Sequence, residues 1–195
     1  VSRHLNRPIS RRISEQVAGW PVTPNQWSWG SFGAACAGAL ALALRAPRLG
    51  AALIHTGSVL DGVDGEVARL QGSSRASGAL LDLVLDRVSD VAILAGLAVG
   101  AGGRRLDWLL ALASASGLLT SGIVKERLGA EHQSVSELQQ SEAKASPIDR
   151  LLPWTGRDGR LFAVVIAGVL RAPRLGLVWI AITSNIRLAR RFMAA

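Results

Sequence analysis

The chain has 195 residues, 49% of them hydrophobic and 18% charged, with a formal net charge of +8 and a mean hydropathy of +0.30. That hydrophobicity excludes a disordered chain, and a soluble globular domain carries more charge, nearer ~25%. The single Cys36 excludes an internal disulfide and a cysteine-based zinc site, and the absence of tyrosine excludes tyrosine chemistry. Lys and Arg stand in small groups between apolar segments rather than in a stripe. That pattern argues against nucleic acid as a partner and fits the edges of membrane helices.

The chain opens on Val1, not Met, and no signal-peptide pattern follows Arg3 to Arg12. Either excision from a longer polypeptide or removal of a tag fits this start. Residues 2–19 read as a basic amphipathic helix, with Ile9, Ile13 and Val17 at i, i+4 and i+8. Such a helix belongs at a membrane surface, so residues 1–22 are expected to form a juxtamembrane helix and turn. Two prolines mark the turn, Pro21 and Pro24, and Trp20, Trp27 and Trp29 around it read as interfacial tryptophans.

Residues 23–195 are then expected to form one all-α integral-membrane domain of six transmembrane helices. Their apolar stretches are 27–44, 49 to beyond 60, 77–99, 106–124, 161–170 and 175–186. Several fall short of the ~20 residues a span needs, so their polar ends are expected to project into water. Residues 125–158 are polar and read as a loop or surface helix. The excess of Lys and Arg in alternate connections favours both termini in the cytosol, although the outer turns also hold Arg45, Arg48, Arg104, Arg105, Arg171 and Arg174. One heptapeptide occurs twice, as Leu44 to Gly50 and as Leu170 to Gly176, both reading Leu-Arg-Ala-Pro-Arg-Leu-Gly. Both copies fall at expected outer turns, where proline separates two helices and arginines meet headgroups.

The chemistry is concentrated between Asp61 and Asp90. Asp61 and Asp64 are one helical turn apart, as are Asp82 and Asp86, and a short polar loop joins the two segments. Four carboxylates beside apolar spans need a positive partner. An all-oxygen donor set favours Mg²⁺ or Mn²⁺, and two pairs suit two such ions, the usual device for displacement at phosphorus. Gly65, Ala68 and Gly78 leave room for a ligand, and Arg69 offers a fork donor for phosphate. A transporter or proton path built on the same acids is the alternative from another class.

The order Asp61-x-x-Asp64-Gly65-x-x-Ala68-Arg69, then Gly78-x-x-x-Asp82-x-x-x-Asp86, resembles the signature of the CDP-alcohol phosphotransferase family at every fixed position. The resemblance implies transfer of a phospho-alcohol from a CDP-alcohol to an acceptor hydroxyl, with release of CMP. It implies that Asp61, Asp64 and Asp82 bind the metals with Asp86 nearby, and that Asp86 is the general base. Asp61, Gly65, Ala68, Arg69 and Gly78 would bind the CDP group. It also implies a homodimer in a prokaryotic-type cell membrane, with the active site on the cytosolic side.

Residues 1–14 and Thr23-Pro-Asn-Gln26 look like the entry segment of the family's inositol-phosphate branch. Some members of that branch carry a cytidylyltransferase domain ahead of the membrane domain. CDP-inositol plus inositol phosphate is therefore the expected pair of substrates. CDP-diacylglycerol with an inositol phosphate, glycerol phosphate or similar acceptor is the alternative. Lys125 and Arg127 resemble the branch's Lys-x-Arg, and Arg157, Arg160 and Arg187 are further candidates for the acceptor phosphate. Each also has a plain reading as a juxtamembrane anchor, and His55 reads as a packing residue.

Overall fold

The computed structural model describes residues 6–17, 19–72, 76–131 and 157–194. Seven helices and no strand are present among the described residues: α1 (Asn6–Val17), α2 (Pro24–Ala43), α3 (Pro47–Leu70), α4 (Ala76–Gly100), α5 (Arg105–Glu131), α6 (Arg157–Val169) and α7 (Pro173–Ala194). The amphipathic segment and the six apolar stretches each correspond to one helix. Prolines open α2, α3 and α7, where the missing N–H has no intrahelical partner to lose. Thr23 and Gln26 form a capping box at the start of α2, with the Thr23 N–H donating to Gln26 Oε1 at 2.8 Å. The helix α3 runs well past its apolar stretch, because the motif residues through Arg69 continue its hydrogen-bond ladder.

The core is one cluster drawn from α2 to α7, including Leu42, Ile54, Leu97, Val164 and Leu177. Small residues set its spacing: a Cβ on Gly96 would strike the Ala39 carbonyl, so α4 lies backbone against backbone on α2. The helix α2 packs closely on both α3 and α4, while α3 and α4 barely touch each other.

A second cluster joins α1 to α3. Ile13 and Val17 pack on Val63 and Val67, with Trp27 against them. The apolar face of α1 therefore rests on protein. Of the three tryptophans read as interfacial, Trp20 and Trp29 are exposed, but Trp27 belongs to this cluster.

The outer surface is apolar in stripes. Leu80, Val84, Val88 and Val91 are exposed along α4, and Leu175, Trp179, Ile182 and Ile186 along α7. Water-soluble surfaces rarely expose apolar area of that extent. Among the described residues one helix is long and apolar enough by itself to cross a membrane, the α5 stretch Arg105–Val124. Motif acids or arginines within α3, α4 and α7 lower their mean hydropathy, and Pro24, Asn25, Gln26 and several Ser and Gly residues do so in α2.

Candidate active site

Asp61 and Asp64 project from α3, and Asp82 and Asp86 from α4. The structure brings three of the four together: one carboxylate oxygen from each of Asp61, Asp82 and Asp86 lies within 4.8 Å of the others. All three side chains are half-buried. Like charges at that spacing, partly withdrawn from water, are stable together when a cation joins them. Oxygen donors alone, with no nitrogen or sulfur, fit a hard divalent ion.

Asp64 is placed differently. It is buried, and its carboxylate accepts a hydrogen bond from Ser28 Oγ at 2.5 Å and another from the Gly65 N–H at 2.5 Å. It stands outside the three-carboxylate group, on the wall of an adjoining cavity.

That cavity has a volume of about 530 Å³, within the usual range for small-molecule sites. Asp64, Gly65, Ala68 and Arg69 line it from α3, Gly78 and Asp82 from α4, and Thr23, Asn25 and Ser28 from the start of α2. It lies at the end of the α3–α4 cleft, which α2 bridges and floors. The expected CDP residues Gly65, Ala68, Arg69 and Gly78 are thus on one cavity, and Asp61 is in the adjoining acidic group. A Cβ on Gly78 would sit 3.3 Å from Asn25 Oδ1, so this glycine lets α4 approach the α2 turn. A Cβ on Gly65 would meet nothing nearer than Arg69 Nη1 at 3.8 Å, so a side chain there would enter the cavity. Arg69 is exposed in the last turn of α3, its guanidinium free to reach a bound anion.

The acceptor candidates are less gathered. The side chains of Lys125, Arg127 and Arg157 lie outside the described residues. Arg187 is half-buried on α7. Arg160 is buried and reaches α4, with Nη2 3.8 Å from Asp90 Oδ2, one turn beyond Asp86. Arg87 stands 3.9 Å from the same oxygen.

Ser28 and Gln71 line the cavity and were not singled out by the sequence. A signal for Ser28 was available. Ser28, Ser31, Ala35 and Gly38 form a small-residue face of α2, and all are buried. Glu66 was also passed over. Its Oε1 accepts from Ser10 Oγ at 3.3 Å, tying α1 to the motif helix, and Gly62 makes room for Ser10 there.

Comparison with known proteins bears on this site. The family model for CDP-alcohol phosphatidyltransferase matches residues 22–152, which include every motif aspartate. A bifunctional IPC transferase and DIPP synthase of Rubrobacter xylanophilus is 36% identical, over 100% of this chain and 42% of its own length. An archaetidylinositol phosphate synthase of Pyrococcus horikoshii is 26% identical, over 98% of this chain and 92% of its own. The chain therefore spans about two fifths of the length of the bifunctional relatives it matches.

The fold resembles that of phosphatidylinositol phosphate synthase from Mycobacterium tuberculosis, solved with CDP-DAG bound. The TM-score is 0.69 at 21% identity, covering 97% of this chain and 92% of that one. The same enzyme in complex with manganese and citrate gives a TM-score of 0.72 at 23% identity, covering 94% and 87%. The acidic group, the cavity beside it and the family match fall on the same residues, and the chain belongs to the CDP-alcohol phosphatidyltransferase family.

Proposed function

We propose that the chain transfers a phospho-alcohol group from a CDP-alcohol to an acceptor hydroxyl and releases CMP, with CDP-inositol and an inositol phosphate as the substrates. The observation that carries this is the adjacency of the Asp61, Asp82 and Asp86 carboxylates to a cavity lined by Gly65, Ala68, Arg69 and Gly78. The names of the bifunctional relatives support the choice of inositol substrates. The fold it shares with an enzyme solved with CDP-DAG keeps the lipid donor as the second reading.

Asp61, Asp82 and Asp86 would hold Mg²⁺ or Mn²⁺, two ions with Asp64 drawn in as a further ligand. A divalent ion held by these carboxylates would supply polarisation of the diphosphate and stabilisation of the departing CMP. The chain's own groups do the rest. Asp86 takes the acceptor's hydroxyl proton on a carboxylate oxygen. Its position matters as much as its basicity, because a base must lie within hydrogen-bond reach of the proton it removes. Arg69 pairs with a phosphate of the donor, and Gly65 and Gly78 let the nucleotide lie against backbone. Ser28 holds Asp64 in one orientation. Lys125, Arg127, Arg157 and Arg187 would receive the acceptor phosphate.

The exposed apolar stripes on α4 and α7 support six spans across a bilayer, and the charge pattern supports a cytosolic active site and cytosolic termini. Residues 1–22 would then lie at the membrane surface, and 23–195 would form the membrane domain. The bifunctional names of relatives more than twice this chain's length support a cytidylyltransferase working with it. The family resemblance supports a homodimer.

The test is CMP release by purified protein in detergent with Mg²⁺, offering CDP-inositol and CDP-diacylglycerol separately with inositol 1-phosphate. CMP from CDP-inositol alone is the expected result. CMP from CDP-diacylglycerol alone would make the cavity a lipid-donor site. CMP release from neither would remove both pairs of substrates.

A further inference from the structure

The repeated heptapeptide builds two identical turns. At the first, the Arg45 N–H donates to the Leu42 carbonyl at 3.1 Å and the Ala46 N–H to the Ala41 carbonyl at 2.8 Å. At the second, Arg171 donates to Gly168 at 3.2 Å and Ala172 to Ala167 at 2.8 Å. Both are Schellman caps, which place one residue in the left-handed region, a position glycine usually fills. Here arginine fills it twice, with φ of 60° at Arg45 and 55° at Arg171. A side chain there costs about 1 kcal/mol or more relative to glycine. Cap geometry therefore does not explain these arginines.

The two caps meet. Arg45, Arg48 and Arg171 line a second cavity of about 480 Å³, together with Pro47 and Pro173, the first residues of α3 and α7. Among the described residues, no acidic residue lines it. The fourth arginine of the repeats, Arg174, is engaged elsewhere. Its Nε lies 2.6 Å from Asp107 Oδ1, its Nη2 donates to Asp107 Oδ2 at 3.0 Å, and the same Nη2 donates to the Ala101 carbonyl at 3.1 Å. The nearby carboxylate is thus already neutralised. Three arginines remain around one recess, where the N-terminal ends of α3 and α7 meet the C-terminal ends of α2, α4 and α6. Along α3, Arg48 and Asp64 are separated by about 24 Å at 1.5 Å per residue, close to the thickness of a bilayer's apolar layer.

We infer that this cavity is a binding site for a phosphate group, supplied by the head of an anionic phospholipid in the leaflet opposite the active site. This rests on the reading of the chain as a bilayer-spanning protein. The site uses both turns, so it also ties the start of α3 to the start of α7.

The test uses the full chain in detergent, with bound phosphatidylglycerol counted by native mass spectrometry. The variant combines Arg45→Gly, Arg171→Gly and Arg48→Gln. Glycine suits both left-handed positions, so the variant is expected to melt no lower than the parent. Its retention of phosphatidylglycerol is expected to fall about tenfold or more. A variant that folds and retains the lipid as well as the parent overturns the inference. So does a parent that retains diacylglycerol, which has no phosphate, equally well. Displacement of the lipid by millimolar inorganic phosphate would confirm a phosphate site and assign it to the free ion. Resistance to displacement would assign it to the headgroup. Recovery of the parent without detergent would overturn the membrane reading and the lipid with it. Unchanged retention in a detergent-dependent protein sinks the inference alone.

Discussion

The two ends of the bundle are built from opposite charges by opposite means. At one end Asp61, Asp82 and Asp86 converge with like charge beside a cavity of about 530 Å³. At the other, Arg45, Arg48 and Arg171 surround a cavity of about 480 Å³. The arginine end also contains a fully compensated pair, Asp107 with Arg174, whose two hydrogen bonds leave the buried carboxylate satisfied. That contrast separates structure from chemistry. A neutralised ion pair holds helices together, whereas a cluster of one sign awaits a ligand of the other.

The largest expected effect is at the acidic end. Asp86→Asn should weaken Mn²⁺ binding, followed by electron paramagnetic resonance, and should still lower CMP release about 10³-fold, the scale of a lost general base, once Mn²⁺ is saturating. Normal turnover in folded Asp86→Asn would move the base elsewhere. Asp107→Asn should do the reverse. It leaves Arg174 facing a neutral partner, so the melting temperature falls while CMP release per folded molecule is kept. A loss of turnover without a loss of stability would erase the distinction between the two ends.

Gly65→Leu sharpens the cavity assignment. Its side chain would project where the added Cβ meets only Arg69 Nη1 at 3.8 Å. Donor KM should rise about tenfold, with acceptor KM and melting temperature little changed. A melting temperature that falls with unchanged donor KM would make Gly65 a packing residue. Ser28→Ala should cost about 1–2 kcal/mol of stability, read from denaturant unfolding, because Asp64 is buried and loses a hydrogen bond. The smallest effect has the opposite sign. Arg45→Gly should raise stability by about 1 kcal/mol, since glycine accepts a φ of 60° without strain.

The helices were legible because apolar stretches and prolines are local signals, and α2 to α7 follow them closely. The motif aspartates were legible because their spacing is one helical turn. Their division into three converging carboxylates and one held by Ser28 was not. It depends on α2 entering between α3 and α4, a packing fixed by contacts such as Gly96 on Ala39 that no periodicity encodes. Trp27 shows the same limit. Composition marks tryptophan near a proline turn as interfacial, but Trp27 is half-buried against the cluster of Val17, Val63 and Val67. The heptapeptide was visible as a repeat. That its two copies line one cavity depends on the end of α6 packing on the start of α3, where a Cβ on Gly168 would strike the Pro47 carbonyl.

The most direct test of the acidic end as a metal-dependent transfer site is the rate of CMP release from a CDP-alcohol, measured against free Mg²⁺ after exhaustive chelation. The prediction is no release without a divalent ion and saturable recovery as Mg²⁺ is returned. CMP release that continues at full rate in excess chelator would contradict it.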